Sequence, residues 1–237
     1  MNNRERAGGG AAAAARMVWD LPLRATHWLL VLTVAGAWAT HYAGTRWFTW
    51  HRWFGYATLV LVAFRIAWGL VGTRHARFAS FVRGPAGLLA YLRTRPWPAT
   101  AGHNPLGALS VLAMLAALLF QAATGLFAND EIASAGPFYG WIAPATSNRI
   151  TGLHEANSNL VLGLVALHLC AIAWYSCTAG RALVRAMVTG RKPASEVPPA
   201  EAIAGSRVPL ALAIVAVLAL ALALAVRSAP DTVIALY

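Results

Sequence analysis

Seven histidines, His27, His41, His51, His75, His103, His154 and His168, stand in a chain of 237 residues of which only 11% are Asp, Glu, Lys or Arg. His154 and His168 are fourteen residues apart, and so are His27 and His41. On an α-helix that interval falls about 40° short of four turns, so each pair shares one face with its rings about 21 Å apart along the axis. Such a helix offers one imidazole near each side of a bilayer. Two imidazoles opposed across an apolar helical bundle can fill both axial positions of a haem iron. Zinc takes four ligands at one level, with Cys, Asp or Glu completing the shell, and a proton relay would mix carboxylates with histidine. No Asp or Glu lies deep within any apolar run here. Spacing therefore favours two haems over isolated structural histidines.

The elements that must carry these side chains are membrane helices. Hydrophobic residues make up 59% of the chain and its mean hydropathy is +0.57, whereas a soluble domain is about 25% charged. Five apolar runs are long enough to cross about 30 Å of hydrocarbon: Leu21–Ala43, Trp53–Gly72, Pro105–Phe127, Leu153–Ala179 and Val208–Val226. The Gly/Ala-rich start, within residues 1–16, is expected to be a disordered tail, and Arg16 and Asp20 argue against a cleaved signal peptide. With the N-terminus inside, fourteen Lys and Arg fall on inner segments and four on outer ones, Arg65 remaining within the second run. That asymmetry is the positive-inside pattern and orients the chain N-in, C-out. The net charge of +11 is accounted for by topology, so nucleic acid is not expected as a partner. Two cysteines, Cys170 and Cys177, exclude a disulfide framework, and no Cys-x-x-Cys-His occurs for covalent haem attachment.

Orientation places the histidines in depth. His27 opens the first span and His168 lies deep in the fourth, both toward the inside; His51 and His154 both lie at the outer level. Two facing pairs follow, His27 with His168 and His51 with His154. His41 also lies at the outer level, and spacing alone does not choose between it and His51.

Several short motifs resemble those of the bacterial cytochrome b561 and nickel–iron hydrogenase b-type cytochrome family. They are Arg24-Ala25-Thr26-His27-Trp28, His51-Arg52-Trp53-Phe54-Gly55, Arg65-Ile66-Ala67-Trp68-Gly69, Ala76-Arg77-Phe78, Gly102-His103-Asn104-Pro105 and Met187-Val188-Thr189-Gly190-Arg191-Lys192. The resemblance covers Met17 to Pro193 and rests on their order and spacing. It implies an all-α integral membrane four-helix bundle holding two non-covalent haems b, with His27, His51, His154 and His168 as axial ligands. It thereby favours His51 over His41. It also implies an electron-transfer cytochrome of the bacterial inner membrane, an electron carrier or the cytochrome subunit of a quinone-linked oxidoreductase. Its partners would be the quinone pool and a redox protein of hydrogenase, dehydrogenase or cytochrome c type, and the lipid bilayer; a homodimer is left open. The departure from a four-helix core is the fifth run, which follows a linker at 194–207 and within 208–237 forms a C-terminal transmembrane helix and short tail. The rival readings are a transporter or channel using intramembrane histidines, and a haem-free anchor subunit.

Other residues carry weaker expectations. Arg65, fourteen residues after His51, reaches the level of the inner haem, where it either pairs with a propionate or snorkels to headgroups. Pro85 marks the start of a short amphipathic helix on the inner interface. Gly36, Gly55, Gly125 and Gly163 permit close helix approach. Trp28, Trp50, Trp53, Trp68, Trp141 and Trp174 read as interfacial belts, and Cys170 and Cys177 as small buried side chains. The outer loop Asn129–Gly152, with Asp130, Glu131, Phe138, Tyr139, Trp141 and Arg149, is either a tethered loop or a surface for a quinone headgroup or periplasmic partner.

Overall fold

The structure, a computed structural model, describes residues 15–94, 97–98, 100–131 and 134–230. Most of the expected tail, with Arg4, Glu5 and Arg6, lies outside the described residues, as do Arg95 and Asp231. Eight helices follow in order: α1 Leu21–Tyr42, α2 Phe48–Val71, α3 Phe78–Phe81, α4 Pro85–Arg93, α5 Pro105–Gly125, α6 Pro144–Ala179, α7 Leu183–Thr189 and α8 Val208–Arg227.

Local chemistry sets these boundaries. Asp20 caps α1 by accepting from the Leu23 amide at 2.7 Å, and Asn104 caps α5 by accepting from Gly107 at 2.7 Å. Pro22, Pro85, Pro105 and Pro144 sit in first turns, where the missing N–H costs nothing. Gly180 and Gly190 end α6 and α7 in the left-handed conformation, with φ of +60° and +79°.

Among the described residues four helices are long and apolar enough to cross a membrane: α2 with the turn before it (Thr45–Val71), α5, α6 and α8. The remaining expected span, the first, is α1; it has 22 residues, or about 33 Å, but is less apolar because Arg24, Thr26, His27, Thr33, Thr40 and His41 punctuate it. At 36 residues α6 is the longest helix and, at about 54 Å, exceeds the hydrocarbon thickness. It starts at Pro144, nine residues before the expected span, so the last nine residues of the expected outer loop, Arg149 included, are helical. The expected amphipathic helix is α4, preceded by the single turn of α3.

α1 packs along α2, α2 along α5 and α5 along α6, while α8 covers α2 from another side. α6 has no comparable packing against α1 or α2. The bundle is thus open between α6 and the α1–α2 pair.

The end of the bundle where α1 begins and α2 ends, the one expected to face inward, is closed by a cap. A two-stranded antiparallel sheet joins β1 (Ala15–Met17) to β2 (Arg191–Pro193), and the segment after it is tied down. Arg16 donates to the carbonyls of Ala194 and Val197, and Ile203 N–H to Met17. His75 Nε2 donates to the Glu201 carbonyl at 2.7 Å and Arg74 to Ala200. Under this cap Val18, Trp19, Phe64, Trp68 and Val197 form the buried inner core. At the outer end Asn129 ties the loop to α6, donating from Nδ2 to Ser147 at 2.6 Å and to Asn148 at 2.9 Å. Phe138 is buried there, stacked on Trp141 with ring centroids 4.3 Å apart. These aromatics of the outer loop pack on one another.

Candidate functional site

Two histidine pairs face each other across the opening beside α6. His27 of α1 and His168 of α6 have ring centroids 6.3 Å apart, and His51 of α2 and His154 of α6 have centroids 6.4 Å apart. Both pairs are those that depth assigned. His41 is exposed at the end of α1, its ring beside Tyr42 and 5.9 Å from His51, whereas it is His51 whose ring meets His154.

Hydrogen bonds set the ring tautomers at the outer pair. His51 Nδ1 lies 2.9 Å from the Ala37 carbonyl, which can only accept, so Nδ1 carries the proton and Nε2 presents its lone pair. His154 Nδ1 likewise donates to the Gln121 carbonyl at 3.0 Å, with Thr124 Oγ1 at 3.1 Å. The Gln121 side-chain amide lies 3.0 Å from His154 Nε2, and its oxygen accepts from Asn157 at 2.7 Å. A metal binding His154 Nε2 would displace that amide. Gly125 lets α5 approach this ring: a Cβ there would stand 3.1 Å from His154 Cε1. Gly36 accommodates the Phe54 ring in the same way, whereas Gly55 and Gly163 border open space. At the inner pair, His27 and His168 make no side-chain hydrogen bond among the described residues.

Arg65 is buried, with 6% exposure, and its Nη1 and Nη2 have no hydrogen-bond partner. Its guanidinium lies over the Phe78 ring, 5.1 Å from the centroid. That placement removes the snorkelling alternative, which needs the charge in water or among headgroups.

Sequence reasoning missed the group beside it. Asp20, fully buried, accepts from Leu23 N–H, from Trp68 Nε1 at 3.2 Å and from Thr73 Oγ1. Trp68, expected in an interfacial belt, is instead fully buried as a donor to Asp20, while Trp28, Trp50, Trp53, Trp141 and Trp174 are exposed. Cys170 and Cys177, expected to be buried, are exposed on α6. Lipid is as apolar as a core, so small side chains there do not reveal which they face.

His103 lies between Trp19 and Phe81, its ring centroid 4.7 Å from each. Burial, then the nearby charges of Arg65, Lys192, His75 and His168, push its pKa down to about 3. Burial also lowers His75 and Lys192; the ammonium of Lys192 lies over the Trp19 ring and donates to the Thr100 carbonyl at 3.1 Å.

The profile of the family described as prokaryotic cytochrome b561 matches residues 18–190. The chain belongs to that family. Among curated proteins none matches it. Membership makes this a bacterial transmembrane b-type cytochrome, a haem b protein of electron transfer. The matched region of this cytochrome spans α1 through α7 and holds all four facing histidines; α8 lies beyond it.

Proposed function

We propose that this cytochrome carries electrons between a redox partner protein and the quinone pool through two bis-histidine haems b. His27 and His168 would ligate the inner haem, His51 and His154 the outer one. The observation that carries the reading is the matched spacing of the two ring pairs, 6.3 and 6.4 Å. A metal–imidazole bond is about 2 Å and a ring nitrogen lies about 1 Å from its centroid, so imidazoles trans on one ion hold centroids about 6 Å apart. The opening beside α6 and the free Nε2 lone pair of His51 support the same fit. Among the described residues no three His, Cys, Asp or Glu side chains converge as a zinc site would require.

Bound haem b would supply reversible one-electron iron chemistry. The protein's part is to fill both axial positions, which leaves no place for oxygen or substrate and limits rearrangement on electron transfer. Arg65 would pair with a propionate of the inner haem, supported by its buried, unpartnered guanidinium. The two ligating levels on α6 stand about 21 Å apart, a span from one side of the membrane toward the other. The arginine distribution supports a cytoplasmic N-terminus and a periplasmic C-terminus in the bacterial inner membrane. The di-haem domain would be 17–193, with α8 as an added transmembrane helix docked on α2. The partner would be of hydrogenase, dehydrogenase or cytochrome c type.

A dithionite-reduced visible spectrum with a haem-to-protein ratio on the purified chain tests this. About two haems b per chain are expected; a chain that binds none would overturn it.

A further inference from the structure

Among the described residues, Arg65 and His103 carry buried nitrogens that make no hydrogen bond. Arg65 presents Nη1 and Nη2, and His103 presents Nδ1, none of them hydrogen-bonded. They belong to one cluster. Arg65 lies over Phe78, Phe78 packs edge-on against Phe81 at 5.9 Å, and Phe81 packs on His103 at 4.7 Å. Among the charged groups Arg65 acts most strongly on His103, and His168 is also within electrostatic reach. A buried polar atom left unpaired costs about 1–3 kcal/mol, so three in one cluster call for an acceptor. Asp20 does not serve: its carboxylate is taken up by Leu23, Trp68 and Thr73.

We infer that His103 is a second haem-binding residue of the inner site, its Nδ1–H donating to the same propionate carboxylate that the Arg65 guanidinium pairs with. A carboxylate offers about four acceptor positions, enough for an arginine fork and one further N–H. The neutral ring suits the role, since a second cation beside Arg65 would have to be charged in a buried position. Trp19 and Phe81 both pack against the imidazole, each with its ring centroid 4.7 Å away, and so restrict its rotation before the ligand arrives. The inference rests on the two-haem reading, and its test separates the two.

The full chain, purified with its haem, is titrated potentiometrically with the visible bands as readout, after the haem count is fixed. A wild-type count below two overturns the underlying reading. Given two, His103→Leu should keep both haems and lower the potential of only the one missing in His168→Ala, because the carboxylate's negative charge is less well compensated. Arg65→Gln should lower the same potential further, and His103→Asn, which retains an N–H donor, should restore most of the wild-type value. Combining His103→Leu with Arg65→Gln should give less than the sum of the separate shifts. An unchanged inner potential in His103→Leu, or equal shifts at both haems, overturns the inference. Should His103→Leu fail to load haem, wild-type chain made without haem is reconstituted with haem b or its dimethyl ester. Weaker retention of the ester at the inner site supports the inference; equal retention overturns it.

Discussion

The two ends of the bundle present the same histidine spacing in different surroundings. At the outer pair the groups bonded to the rings are neutral: the Ala37 carbonyl holds His51, and Gln121 and Thr124 hold His154. At the inner pair the rings make no such bonds among the described residues, and the buried polar groups at that end of the bundle are Arg65, Asp20 and His103, under a cap built from the chain before α1 and after α7. Ligand geometry can thus be shared while the electrostatics around it differ. A guanidinium paired with the inner propionate, as proposed, would favour the reduced, less positive state of that iron, so the inner haem is expected to have the higher potential. Electrostatic surroundings and hydrogen bonding are among the protein's levers on a haem.

The largest test of this contrast is ligand removal. His168→Ala should lower the haem content by about one per chain and leave the outer spectrum intact, and His154→Ala should do the converse. Loss of both haems from either variant would mean that the two ends do not form separate sites. Comparing the surviving potentials in the two variants then checks the predicted order directly.

Next in size is Asp20→Ala. It strips a helix cap and leaves the Trp68 and Thr73 donors unsatisfied in a buried place, for about 3 kcal/mol in all. Thermal denaturation in mild detergent should show the inner haem released well before the outer one. Simultaneous release at the wild-type temperature would show that the Asp20 network does not hold the inner end.

Gln121→Leu probes the neutral end. The side-chain amide competes for the lone pair of His154 Nε2 while the backbone carbonyl at the same residue keeps Nδ1 oriented. Removing the amide frees about 1 kcal/mol, so the outer haem should be retained about fivefold more tightly, with the inner haem unchanged. Competition against apomyoglobin measures this; weaker retention would make Gln121 a supporting contact.

What could be read from the sequence divides along the same line. The facing of His27 with His168 and of His51 with His154 was legible because fourteen-residue spacing and arginine asymmetry are one-dimensional signals. The inner surroundings were not. Asp20 beside a span start looks like an ordinary inner charge, and its partners Trp68 and Thr73 arrive from 48 and 53 residues away. The start of α6 was missed because Thr146, Ser147, Asn148 and Arg149 are polar, and a search for apolar runs registers only the part of a helix that lies in hydrocarbon. Its signal was Pro144, placed where a helix begins.

The smallest effect concerns acid and the inner cap. His75 donates to the Glu201 carbonyl, with Glu201, Arg74, Lys192 and His103 as its charged or titratable neighbours, and burial holds its pKa below the usual 6.5. Above pH 6.5 the ring is neutral whether folded or unfolded and contributes no pH dependence. As pH falls through 6.5 the unfolded chain takes up the proton first, so the cap loses stability until the folded-state pKa is passed. His75→Gln can keep the hydrogen bond without the titration. Hydrogen exchange at the amides of Met17, Val18 and Ile203, compared between pH 7.5 and 5.5 after correction for intrinsic rates, should show acid-induced opening in the wild type and less of it in the variant. The outer knot at Asn129, which contains no histidine, should show no such opening in either protein. Equal acid sensitivity at both ends would place its origin in the facing histidine pairs common to them and remove the cap from the account.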